Sequence, residues 1–151
     1  LAVHGDDLYV SERCNNRLHV FRIRETSCAF ARTIGKGGGA PGEFRNPYGI
    51  TIHAGQIIVA EFDNARVQIL SLDGEPKQVV QLPQGARPRG VCVSGDSLFV
   101  VDWWCDRLHQ LRLLSDADKK TAHMRIQKYR IGESSSAVCA SESDASGGLS
   151  D

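Results

Sequence analysis

Short apolar runs of about five to seven residues, set off by Gly, Pro, Asn or Asp, recur along the chain at a spacing too tight for helices. Their enrichment in Val, Ile, Phe and Tyr predicts β-strands. Between residues 46 and 86 the runs are YGITI at 48–52, QIIVAEF at 56–62, RVQILSL at 66–72 and KQVVQL at 77–82. The next stretch supplies RGVCV, SLFVVDW, RLHQLRL and, after an insertion, RIQKYRI at 125–131; the opening stretch supplies LAV, DLYVSE, RLHVFRI and FARTIG.

The runs belong to a repeat. LYVSERCNNRLHVF at 8–21, IIVAEFDNARVQIL at 57–70 and LFVVDWWCDRLHQL at 98–111 superimpose without a gap, at a period of 49 residues and then 41. Four strands per unit at such a period predict sheets arranged radially. The expected fold is all-β: a β-propeller of four-stranded antiparallel blades, with about three blades, 1–45, 46–86 and 87–132, forming an incomplete ring. Leu1 falls inside a repeat and no initiator methionine is present, so the reading predicts a fragment. Bare strand edges and a bare blade face are liabilities, so missing blades or a second copy are expected to close the ring. Residues 133–151, ESSSAVCASESDASGGLSD, nearly lack large apolar groups and predict a disordered tail.

Composition narrows this picture only a little. Eighteen basic and eighteen acidic residues cancel, so electrostatic recognition has to come from a local patch. The five cysteines are odd in number and contain no C-x-x-C pair, which argues against a disulfide framework or a zinc knuckle and favours a reducing, cytoplasmic setting. No stretch approaches the roughly 18 apolar residues of a membrane span. The run Gly35-Lys36-Gly37-Gly38-Gly39 lacks the G-K-[ST] ending and a following helix that a phosphate cradle needs, so it reads as a flexible link.

The Pro-x-Gly-Ile/Val lead-ins (Pro47-Tyr48-Gly49-Ile50 and Pro88-Arg89-Gly90-Val91), the Val-Ala-Glu core and the Asn64-Ala65-Arg66-Val67 corner together resemble the NHL-repeat family over about residues 1–132. The third unit departs from that pattern, with Cys105 at the corner Asn and Trp103-Trp104 in the lead-in to it. The resemblance implies a ring-shaped platform for a protein or peptide, or for RNA, and in tripartite-motif relatives the recognition end of a ubiquitin ligase. It also admits propeller enzymes of the peptidylglycine amide lyase or lactonase type.

Two sets of residues carry the functional expectations. The acid and the arginine five positions later, Glu12/Arg17, Glu61/Arg66 and Asp102/Arg107, recur in every unit, as a structural corner pair should. His4 and His53 share one turn column, and His19 and His109 one strand column, which spreads them around a ring instead of gathering them on a metal; no metal site and no cofactor is expected.

Where copies differ, function is expected, on the face formed by the links between blades and the corners between second and third strands. That face collects Arg13, Arg45, Tyr48, Phe62, Arg87, Arg89, Trp103 and Trp104. Tyr, Trp and Arg are typical of binding hot spots, and aromatics beside cations also hold single-stranded RNA. Inner strands reading LAV, ITI and VCV carry no His, Asp or Glu for metal binding or acid/base work. The expectation is therefore a non-catalytic propeller platform for a protein or peptide partner, not an enzyme. The alternatives are RNA binding by the same face, or part of a propeller enzyme whose site lies on missing blades.

Overall fold

The computed structural model describes residues 1–103 and, as backbone, residues 107–112 and 126–130. The expected tail at 133–151, together with Trp104 and Cys105, lies outside the described residues. The first sheet is formed by β1 (Ala2–His4), β2 (Asp7–Glu12), β3 (Arg17–Arg24) and β4 (Ser27–Ile34). The second comprises β5 (Pro47–His53), β6 (Gln56–Glu61), β7 (Arg66–Ser71) and β8 (Pro76–Gln81), and the third β9 (Pro88–Ser94), β10 (Ser97–Asp102), β11 (Arg107–Arg112) and β12 (Ile126–Arg130). Within each four-stranded sheet the strands follow chain order, and neighbours pair antiparallel. These are β-propeller blades.

The apolar pattern explains how the sheets stack. In the first sheet alternate residues Tyr9, Leu18, Val20 and Ile34 turn one way. They meet Ile50, Ile57, Val59 and Leu70 of the second sheet in a single cluster. Ile58, Val67, Ile69 and Val80 leave the second sheet on its opposite side and pack on Leu98 and Val100 of the third. The second sheet is therefore covered on both faces, which is why β6 carries the unbroken apolar run Ile57–Ala60 and β7 is buried from Arg66 to Leu70, its polar Arg66 and Gln68 included. Each fully buried Val, Leu or Ile in these layers contributes about 1.5–3 kcal/mol. Val3, Ile23 and Phe30 of the first sheet stay exposed.

The first strands of the blades converge. A Cβ placed on Gly49 of β5 would sit 2.6 Å from the Arg89 carbonyl oxygen and 3.0 Å from the Gly90 Cα of β9. Glycine in the Pro-x-Gly lead-in thus lets two inner strands approach backbone to backbone, and it sets the residue just before it, Tyr48, beside its counterpart Arg89.

The glycine-rich link at 35–39 departs from its expected flexibility. Phe44 is fully buried in the cluster between the first two blades, and its N–H and C=O pair with Lys36 and Gly38. Gly35, at φ +75°, lies under the Phe44 ring, where a Cβ would collide with it. The link is folded around one aromatic anchor.

Candidate functional site

The corner pairs come first, because they hold the loops from which the face is made. In the second blade Arg66 Nε donates to Glu61 Oε1 at 2.7 Å, with side-chain exposures of 7% and 0%. A buried pair of this kind needs its remaining polar atoms satisfied. The guanidinium also donates to the carbonyls of Gly39, Ala40 and Glu43 at 2.6–3.0 Å. Glu61 accepts from the Arg45 amide, from Asn64 and from Gln68. The pair therefore clamps the incoming link to the corner.

In the first blade Glu12 takes Arg17, Asn15 and His19, at side-chain exposures of 31% for Glu12 and 40% for Arg17. The hydrogen bond from Arg17, then that from Asn15, holds the Glu12 carboxyl down at about 2. In the third blade Asp102 accepts the Arg87 amide at 2.9 Å, and β10 and β11 place Asp102 opposite Arg107; the Arg107 side chain lies outside the described residues. The sequence placed His19 in a strand column without tying it to the corner acid seven positions before, and did not single out Gln68 at all. His19 and Gln68 both bond the corner carboxylate, and their shared column in the alignment was the available signal.

The clamps align the loops. Phe62 N–H donates to the Asn46 carbonyl at 3.1 Å, and Trp103 N–H donates to the Arg87 carbonyl at 3.0 Å. Each corner is thus stitched to the link that enters its own blade, and the two loop sets share one face.

On that face cations and aromatic rings interleave. Arg13 donates to the Tyr48 hydroxyl and lies over the Tyr48 ring, 4.9 Å from its centroid; this bond, with a smaller part from Cys14, raises the Arg13 pKa further. Arg89 stands 5.0 Å from the Tyr48 centroid and 4.0 Å from that of Trp103. Tyr48 and Phe62 pack at 5.3 Å, and Arg87 covers Phe62 at 5.4 Å. Such contacts are worth about 0.5–2 kcal/mol each depending on desolvation. Ser11 fixes the base of the array by donating to the Tyr48 carbonyl at 2.7 Å.

Of the residues expected on this face, Arg13, Tyr48, Phe62, Arg87, Arg89 and Trp103 are brought into one connected cluster. Arg45 is exposed beside it and joins through its backbone. Trp104 lies outside the described residues. Trp103 is 56% exposed, whereas Tyr48, Phe62, Arg87 and Arg89 are half-buried.

No protein-family model matches the chain, and no curated protein matches it. Solved structures share its fold. Virginiamycin B lyase from Staphylococcus aureus aligns over 88% of this chain and 41% of its own length, at 19% identity and TM-score 0.59. Its catalytically inactive variant with quinupristin aligns over 87% and 40%, at 18% and 0.57. A candidate 6-phosphogluconolactonase from Bacteroides fragilis aligns over 84% and 41%, at 16% and 0.56. The chain thus spans about two fifths of the length of these structures, and at such identity the likeness establishes the fold.

These findings correct the expectation of a non-catalytic platform that is not an enzyme, because the structures sharing the fold are mostly enzymes. The apolar inner strands LAV, ITI and VCV lack His, Asp and Glu, whereas the loops beside them carry the interleaved aromatic and cationic cluster.

Proposed function

We propose that this chain is part of a propeller enzyme of the lyase or lactonase kind, and that the zigzag Arg13–Tyr48–Arg89–Trp103 holds the substrate at the mouth of the hub. The observation that carries the reading is the interleaving itself: rings and guanidiniums from three successive blades meet beside the closely packed inner strands. Ring faces cover the apolar part of a small molecule, while fixed donors orient its polar groups. The enzymes sharing the fold support the class, and their names point to lyase and lactone-opening chemistry. In this reading the chain supplies substrate-holding residues, and the reacting groups belong to parts of the ring outside the described residues. The Pro47-Tyr48-Gly49 and Pro88-Arg89-Gly90 lead-ins support an NHL-like variety of propeller as part of the same proposal.

The test is turnover by protein made from the complete coding sequence, with quinupristin and a phosphosugar lactone as probes and mass spectrometry as the readout. The reading predicts a new product from at least one probe class. A folded protein that leaves both classes intact would overturn it.

A further inference from the structure

We propose that Arg89 is an anion seat at this mouth, and that the ligand held there presents a carboxylate or phosphate group attached to a flat unsaturated portion. The proposal rests on the substrate-holding reading above and names the chemistry of what is held.

Three guanidiniums enter the aromatic cluster, and their surroundings differ. Arg87 is engaged by the Asp63 carboxylate and the Phe62 carbonyl, both at 3.3 Å. Arg13 donates to the Tyr48 hydroxyl. Arg89 is flanked by two rings, Tyr48 at 5.0 Å and Trp103 at 4.0 Å, and among the described residues it makes no hydrogen bond or ion pair.

Among the described residues, the acids of the adjoining corners already have partners. Asp63 takes Arg87 and Asn46, Glu61 takes Arg66, Asn64 and Gln68, and Asp102 takes the Arg87 amide. A guanidinium whose face lies against a ring keeps its N–H donors along the edge, where the planar fork matches two oxygens of one carboxylate or phosphate. Half-burial between rings strips part of its hydration and makes an incoming anion a better partner than water. Trp103, 56% exposed, offers ring surface next to the fork, which suits a flat group joined to the anion.

Calorimetry with 2-naphthoate, the uncharged 2-naphthamide and inorganic phosphate tests this in protein made from the complete coding sequence. Naphthoate should bind, phosphate should bind more weakly and compete with it, and naphthamide should bind at least about tenfold more weakly than naphthoate. Arg89→Gln should abolish naphthoate binding. Arg89→Lys keeps the charge but loses the fork, and should weaken binding by about tenfold, with circular dichroism unchanged in both variants. Equal binding of naphthoate and naphthamide, or naphthoate binding untouched by Arg89→Gln, would overturn the proposal. Absence of turnover combined with Arg89-dependent naphthoate binding would sink the enzyme reading and leave the seat standing. Turnover that ignores Arg89→Gln would overturn the seat, and with it the part of Arg89 in holding substrate, and leave the enzyme class standing.

Discussion

The repeated acid–arginine pair shows how one sequence element works differently according to its surroundings. Glu61 and Arg66 are buried, and their spare atoms are taken by the link at 39–45. Removing one partner leaves the other charged in a dry corner. Glu61→Ala should therefore destabilise the protein by about 3–5 kcal/mol in denaturant titration. Glu12, more exposed, acts through its lowered pKa of about 2. A carboxyl depressed in the folded state stabilises above its unfolded value, near 4.5, and that contribution disappears as pH falls towards 2. Thermal melts of Glu12→Gln against the parent should differ at pH 6 and converge by about pH 2. A difference independent of pH would remove the carboxylate from the explanation.

Among the elements, the inner strands carry the positional information for the site. Gly49 lets β5 close on β9, with the Arg89 carbonyl and the Gly90 Cα against its face. Gly49→Ala should cost about 1–3 kcal/mol through forced separation of the strands. It should also weaken naphthoate binding, since Tyr48 and Arg89 flank that contact. Strand positions were legible in the sequence because each unit repeats one apolar pattern: β2 (Asp7–Glu12) matches the run DLYVSE, and the strands of the second blade fall within a residue of their runs. The folded link at 35–45 was not legible. Its order comes from Phe44 entering a core shared by two blades and from Arg66 reaching back over more than twenty residues, and glycine content alone reports neither contact. β4 begins at Ser27, earlier than its apolar run, because pairing with β3 continues through Ala29 and Cys28 down to Ser27 opposite Arg24.

For the whole molecule, the stacking of blades follows from which faces are apolar, and the shared face follows from the stacking. Cores on both sides of the second sheet fix the blade order, and loops stitched to corners then bring residues from 13 to 103 into one cluster. Legibility of the site was of the same kind: columns that vary between copies pointed to the face, while the pairing of particular rings and cations depended on three-dimensional approach. The expectation of a non-catalytic platform leaned on the apolar inner strands alone, and the interleaved cluster lies on the loops beside them.

The most direct measurement is kcat/KM for a substrate found with the complete protein, compared between the parent and Trp103→Ala. If Trp103 holds the substrate without taking part in the reaction, as proposed, the variant should show a fall of about tenfold or more, mainly through KM. An unchanged kcat/KM in the folded variant would contradict a substrate-holding role for this face.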